Sequence, residues 1–246
     1  MAGNIKILGV NASPRKYGNT YKLLEIALHT ARQLGAEVEL IHLYDYDIKP
    51  CIGCLSDEQL ACRYPCVIED DGRIILEKIL KSDGLIIATP LYWYGPSGHL
   101  KNLIDRMTAF ENMIFVEGRS WVEGKVAGFI AVGNDSGNIM AIAYMMVVLN
   151  SMGFIIPPWA LAYYIGGEDV LNKKDPILDA ANVGKVIVDT LKMIKKDHKW
   201  YDSKILDKLK EDIVGIAKSK ALEEYGKQIE ARRKTILKLM NKGLQK

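Results

Sequence analysis

Four cysteines, Cys51, Cys54, Cys62 and Cys66, fall within 16 consecutive residues of a 246-residue chain that has no others. Scattered cysteines fill cores. A window this dense in a chain expected in the cytoplasm points instead to metal, cluster or redox chemistry. The run is Cys51-Ile52-Gly53-Cys54, then Cys62 and Cys66, followed by Val67-Ile68-Glu69-Asp70-Asp71. These spacings leave three chemistries open: four thiolates around a [4Fe–4S] cube, four on a zinc ion, or free thiols able to form a redox disulfide.

A second set of chemically able residues lies near the N-terminus. Ser13-Pro14-Arg15-Lys16-Tyr17-Gly18-Asn19-Thr20 joins an apolar run to a segment in which Leu23, Leu24, Ala27, Leu28, Ala31 and Leu34 recur at helical spacing. A helix N-terminus offers unpaired N–H groups and partial positive charge, which attract phosphate. Ser13 and Thr20 add hydroxyls, Asn19 an amide and Arg15 a guanidinium. Neither the spaced glycines of a dinucleotide fingerprint nor a Walker loop is present, so a terminal phosphate monoester such as that of FMN suits this loop better than a pyrophosphate. A plain helix cap by Asn19 or Thr20 would account for only one of the four polar residues.

The third set is aromatic. Pro90-Leu91-Tyr92-Trp93-Tyr94-Gly95-Pro96 follows an apolar run, and three consecutive aromatics cannot all point into a core. Such a loop offers stacking surface and backbone N–H groups to a flat ring. Gly133-Asn134-Asp135-Ser136-Gly137-Asn138 could close over the ring's other edge, although turns of this composition are common. The histidines His29, His42, His99 and His198 show no metal-ligand spacing. His99 lies beside the aromatic loop, where it could touch substrate. No nucleophile–base pair stands out, and no catalytic residue is assigned.

These sets need a frame. Apolar runs at 5–10, 38–43, 84–88 and 125–132 read as strands, with a fifth at 154–156 or 159–162, where Pro157 and Pro158 blur the limits. Helical periodicity covers 23–34, with Gly35 as its stop, then 71–82, 98–107, 139–152 and 179–195. Continuous rather than alternating apolar strands mark a parallel sheet covered on both faces. The expected fold class is α/β, a doubly wound five-stranded parallel sheet. Ligands of such sheets sit beyond the carboxyl ends of the strands.

Ser13-x-Arg15 with Gly18-Asn19-Thr20, then Thr89-Pro90-x-Tyr92 and Gly98-x-x-Lys101-x-x-x-Asp105-Arg106, together resemble the NAD(P)H-dependent FMN reductases of the flavodoxin superfamily. The cysteine window is similar to that of their iron–sulfur flavoprotein branch. The resemblance covers roughly residues 4–195. It implies a flavodoxin-like fold, with FMN phosphate on Ser13, Arg15, Gly18, Asn19 and Thr20. The ring would lie against Pro90, Leu91, Tyr92, Trp93 and Gly95, with Gly133 and Asn134 closing the site. It implies a cluster on Cys51, Cys54, Cys62 and Cys66, but the branch's third cysteine would fall at Asp57, and Cys62 lies five residues later. Lys101, Asp105 and Arg106 match the family pattern and are expected to support the ring loop structurally.

The implied activity is FMN-dependent oxidoreduction: NAD(P)H delivers hydride to the flavin, which passes electrons to an acceptor of unspecified class. The alternative is a flavodoxin-like electron-transfer protein with an iron–sulfur cluster and no nicotinamide substrate. From another class comes a redox-responsive binding protein that uses the cysteine loop as its sensor.

Charge separates the chain into two parts. Residues 199–246 carry 13 Lys/Arg against 7 Asp/Glu, while the remainder is slightly acidic and the whole chain is only +3. That total is too weak to imply nucleic acid. Leu206, Leu209, Ile213, Ile216, Leu222, Tyr225, Ile229, Ile236 and Met240 fall at helical spacing among these charges. The expected division is a flavodoxin-like domain over 1–198 and a basic amphipathic helical extension over 199–246. The apolar stripe of the extension favours a homo-oligomer. No run approaches the roughly 20 apolar residues of a membrane span, and no secretory signal opens the chain, so the protein is expected in the cytoplasm.

Overall fold

The computed structural model describes residues 5–194 and 229–241. Five strands form one sheet: β1 (Lys6–Asn11), β2 (Glu37–His42), β3 (Gly84–Pro90), β4 (Val126–Gly133) and β5 (Leu161–Ile165). Their order is β2-β1-β3-β4-β5 and every pairing is parallel. This is the flavodoxin-like doubly wound sheet. β1 pairs on one side with β2, Gly9 opposite Leu40, and on the other with β3, Gly9 opposite Ile86.

Helices cover both faces because crossovers are right-handed. A step from β1 outward to β2 puts its helix on one face, and steps toward β3, β4 and β5 put theirs on the other. Accordingly α1 (Asn19–Gln33) shares a core with α7 (Lys174–Met193), where Leu23, Leu24 and Leu28 meet Val183, Ile187 and Val188. On the opposite face α2 (Gly72–Lys81), α3 (Gly98–Arg106) and α6 (Asn138–Ser151) bury Ile75, Ile79, Leu103, Ile104, Met145 and Leu149 against Leu8, Val10, Leu85 and Ile87. Successive residues of β1 thus serve opposite cores, which is why the strand reads as one unbroken apolar run. Two short helices, α4 (Thr108–Glu111) and α5 (Met113–Glu117), continue from α3. Helical periodicity cannot reveal elements this brief.

The fifth strand differs from both sequence expectations. It begins at Leu161, after Pro157 and Pro158, and runs to Ile165. Ile155 contributes only a single bridge to Val126. Proline lacks the N–H that a ladder needs, so pairing restarts beyond the proline pair. As an edge strand, β5 alternates: Ala162 and Tyr164 are buried, while Tyr163 and Ile165 face outward.

The chain divides into two units, residues 1–201 and 202–246. Within the second, residues 229–241 are helical and exposed. Most of the expected amphipathic stripe, from Leu206 to Tyr225, lies outside the described residues, as does His198. No described helix is long and apolar enough to cross a membrane.

Packing of α7 on α1 depends on one glycine. A Cβ on Gly184 would fall inside the contact radius of the Ala27 carbonyl oxygen, which is backbone and cannot swing away. Glycine to alanine inside a helix ordinarily gains about 1 kcal/mol. Gly184→Ala should instead lose about 1–3 kcal/mol, the scale of overpacking. Urea unfolding measures it, and a stabilised variant would show that the two helices separate freely.

Candidate functional site

The loops after β1, β3, β4 and β5 surround one cleft of about 420 Å³, within the range of cofactor pockets. Its walls are Ser13, Arg15, Gly18, Asn19, Thr20, Pro90, Leu91, Tyr92, Val132, Gly133, Asn134 and residues 166–169. Ten of the twelve cofactor residues expected from sequence therefore converge. Trp93 and Gly95 stand outside this lining.

One end of the cleft is built for an anion. Helix α1 starts after Gly18, which provides no side-chain cap, and its first turn has no acidic residue. The leading N–H groups of the helix are thus left to a ligand. Ser13 and Thr20 are buried beside them. The loop is shaped by Asn11, a residue not singled out in the sequence. Its Oδ1 accepts the Ser13 N–H at 3.2 Å, and its Nδ2 donates to the Lys16 carbonyl at 3.0 Å. The Ser13 hydroxyl in turn accepts the Arg15 N–H at 3.1 Å.

Asn19 lines the cleft and also joins two of its loops. Its amide donates to the Glu168 carbonyl at 2.7 Å and accepts the Val170 N–H at 3.2 Å. Both ends of the side chain are engaged, so Asn19 braces the loop after β5 against the start of α1. That loop, Gly166-Gly167-Glu168-Asp169, completes the cleft and was not anticipated. Its glycine pair at a strand end is the signal that could have found it, had the limit of β5 been clear. Its carboxylates do not oppose an anion alone: Lys173 holds Glu168 below its ordinary pKa, and Lys22, 2.7 Å from Asp169, does the same there.

The other end of the cleft is flat and uncharged. Leu91 N–H donates to the Val132 carbonyl at 2.8 Å, holding the β3 loop against β4. Ser97 ties the same loop to β1: its hydroxyl donates to the Ala12 carbonyl at 2.9 Å, and its N–H donates to Thr89 Oγ1 at 3.0 Å. Between these fixed points Tyr92 and Gly95 exchange two backbone hydrogen bonds of 3.0 Å, closing a tight turn. The two central residues, Trp93 and Tyr94, both have positive φ, 49° and 65°. Hairpin turns of this form normally take glycine or asparagine, and aromatic residues there cost about 1–2 kcal/mol each. Tyr94 is seated on Gly137 so closely that a Cβ on Gly137 would overlap its ring. Asn138 donates to the Ala131 and Tyr164 carbonyls, and its buried Oδ1 has no partner among the described residues.

The cysteine loop leaves β2 and is bolted to α3 and the helices after it. His99 Nε2 lies 3.0 and 2.9 Å from the Leu43 and Tyr46 carbonyls, so His99 braces this loop. Asn102 donates to the Ile48 carbonyl at 2.9 Å, and Asn112 to the Gln59 and Cys62 carbonyls, each at 2.9 Å. Arg106 is the centre of the attachment. It pairs with Asp70 through both nitrogens at 2.8 and 3.0 Å, with side-chain exposures of 0% and 1%. It also donates to the Cys66 sulfur at 3.2 Å and to the Lys49 and Ile68 carbonyls. Lys101 instead pairs with Asp105 on the surface at 2.6 Å.

The four thiols gather around Cys62, whose pKa is pushed up to about 12 by burial first and then by Cys54, Cys51 and Cys66. Among the described residues, no three His, Cys, Asp or Glu side chains are placed to share a metal ion. Cys51 is exposed and its sulfur accepts the Gly53 N–H, whereas buried Cys66 is turned to Arg106. Cys62 thus lies near the other three sulfurs, and no three of them are placed to share one ion among the described residues.

Burial pushes the Asp70 carboxyl up, but Arg106 and the N–H groups of Lys49 and Gly72 outweigh burial and hold it below its ordinary value. Its contribution to stability is therefore complete above the unfolded value of about 3.9 and is lost as pH falls through the lower folded value. Arg106→Met leaves a buried carboxylate uncompensated and should cost about 3–5 kcal/mol at neutral pH. Lys101→Ala, at the exposed pair, should cost less than about 1 kcal/mol. Urea titration of both variants checks this, and equal losses would remove Arg106 from its central role.

With the geometry in place, comparison with known proteins gives the family. The profile of NADPH-dependent FMN reductases matches residues 5–164. The chain is 34% identical over 199 residues to an iron–sulfur flavoprotein of Methanocaldococcus jannaschii, covering 78% of this chain and 100% of that one. It is 38% identical over 136 residues to a Bacillus subtilis protein named as an NAD(P)H-dependent FMN-containing oxidoreductase, covering 55% and 70%. Among solved structures, RosB with bound 8-demethyl-8-formylriboflavin-5'-phosphate shares the fold with a TM-score of 0.64 at 20% identity, covering 89% of this chain and 87% of that one. An apo NADH:FMN oxidoreductase does so with a TM-score of 0.55 at 22% identity, covering 79% and 92%. The protein belongs to the NADPH-dependent FMN reductase family and is an FMN reductase-like oxidoreductase.

Proposed function

We propose that the cleft binds FMN and that the protein uses it to carry electrons from NAD(P)H to an acceptor. The observation that carries this reading is the polarity of the cleft. An uncapped helix start with Ser13, Arg15 and Thr20 lies at one end, and Pro90, Leu91, Tyr92, Gly133 and Asn134 lie at the other. A phosphate monoester joined to a flat ring matches that division. The chemistry of the donors fits the group: hydroxyls, backbone N–H groups and a guanidinium for a dianion, and neutral flat walls for a ring. The ligand of the RosB structure, itself a riboflavin 5'-phosphate derivative, supports the assignment.

When bound, FMN supplies the hydride-accepting chemistry, and no acid–base side chain is needed for that step. The residues of the chain bind and orient. Ser97 and Asn11 fix the two loops, Asn19 fixes the third, and Pro90 and Leu91 present one wall of the ring site. No step is assigned to the cysteine loop.

Arg15→Ala should weaken FMN binding by about 1.5–3 kcal/mol, the scale of a hydrogen bond to a charged group. Riboflavin, which lacks the phosphate, should lose much less. Fluorescence titration of both flavins separates the outcomes, and equal losses would move Arg15 out of the phosphate site. Steady-state oxidation of NAD(P)H by the FMN-loaded protein tests the activity. Retained FMN without nicotinamide oxidation would favour an electron carrier reduced by a protein partner.

A further inference from the structure

We infer that His42 is a positioning residue for the phosphate loop: its neutral imidazole holds Asn11, and a proton on the ring releases that hold and weakens FMN binding. The inference rests on the proposed flavin function. It starts from the bonding of Asn11, which is fully buried. Its Oδ1 accepts the Ser13 N–H, and its Nδ2 donates to the Lys16 carbonyl. Turning the amide over would set its NH2 group against the Ser13 N–H and its oxygen against the Lys16 carbonyl, so its orientation is fixed. The second hydrogen of Nδ2 has His42 Nδ1, 3.0 Å away, as its acceptor. A nitrogen that accepts carries no proton, so the ring is the neutral Nε2–H tautomer. A protonated ring has donors at both nitrogens. Its Nδ1–H would face the N–H of Asn11, and a buried donor would lose its partner.

The surroundings keep the ring in place. His42 ends β2 and is the register partner of Asn11, which ends β1. Its ring stacks on Tyr21 of α1, with centroids 5.7 Å apart and planes at 29°. It meets Tyr17 at 5.5 Å and 73°. Tyr17 belongs to the phosphate loop itself, and Lys16 beside it pairs at 2.6 Å with Asp45, just beyond β2. The groups that face the imidazole are therefore Lys16 and Tyr17 from the loop, Tyr21 from α1 and Asp45. Burial first, and then the Lys16 ammonium, hold the His42 pKa below its ordinary 6.5, while Asp45 opposes them. The bond to Asn11 is therefore complete above the ordinary value and is lost as pH falls through the lower folded one. Asn11 joins Ser13 to Lys16, and Arg15 lies between them. Loosening Asn11 displaces the donors that the loop offers to a phosphate.

The test follows FMN dissociation constants of the full-length protein by fluorescence from pH 8 to pH 5, with two variants. His42→Asn keeps an acceptor near the place of Nδ1 and cannot titrate. His42→Phe keeps a ring for Tyr21 and loses the acceptor. The FMN phosphate itself titrates at about pH 6, so the His42→Asn profile is the baseline. At pH 8 wild type and His42→Asn should agree within about threefold, and at pH 5 wild type should bind about fivefold or more weakly, the scale of one hydrogen bond. His42→Phe should be weaker than both at pH 8 by about the same factor, with a profile parallel to His42→Asn. Parallel profiles for wild type and His42→Asn would overturn the inference. So would full affinity in His42→Phe at pH 8, or a His42→Asn variant as weak as His42→Phe, which would leave the ring a packing role alone. Nuclear magnetic resonance of the isotope-labelled apo protein reads the bond without flavin. The Asn11 side-chain amide resonances should move with the His42 titration, and the ring nitrogens should report the Nε2–H tautomer at pH 8. An Nδ1–H tautomer, or Asn11 resonances indifferent to the titration, would also overturn the inference. If no flavin binds at any pH, the parent reading fails on its own, and these resonances still decide whether neutral His42 holds Asn11.

Discussion

The reversal of winding between β1 and β3 is the constraint on which the site depends. The chain leaves β1 toward one face of the sheet through α1 and leaves β3 toward the other through α3. Right-handed crossovers permit no other arrangement for this strand order. The two loops must therefore part at the carboxyl edge, and a crevice opens where they do. Left alone, parting loops would be mobile. Ser97 prevents this by joining the β3 loop to the Ala12 carbonyl across the gap. The crevice is thus both forced open by topology and held at fixed width by a buried hydrogen bond.

Helix α3 extends that control to the cysteine loop. His99, Asn102 and Arg106 recur at helical spacing, and each engages backbone carbonyls between Leu43 and Ile68. The helix that begins just after the Tyr92–Gly95 turn therefore also grips the loop after β2. A displacement at one loop is felt at the other through a rigid element. The buried Arg106–Asp70 pair gives this grip its strength, because neither partner can be withdrawn without stranding a charge.

Most of the fold was legible because β1, β3 and β4 are buried on both faces and α1, α2 and α3 are amphipathic, so their periodicities separate cleanly. The phosphate and ring loops were legible because their residues have few other uses. Residues whose roles depend on distant partners were not. That Asn19 also braces the loop after β5 depends on partners 149 and 151 residues away. Trp93 stands exposed at the centre of the Tyr92–Gly95 turn and outside the lining of the cleft. Arg106, forty residues along the chain from Cys66, donates to that sulfur and pairs with Asp70, a role no local spacing reveals. The Gly166-Gly167 loop was hidden because β5 begins beyond a proline pair that sequence pattern could not place.

The central claim is that the cleft is cut for a flavin monophosphate, and the identity of the bound flavin tests it most directly. Apo protein saturated with an equimolar mixture of FMN and FAD, freed of excess ligand and released by heat, should yield FMN at one per chain by chromatography. Recovery of FAD in comparable amount, or no flavin retained at micromolar concentration, would contradict the account.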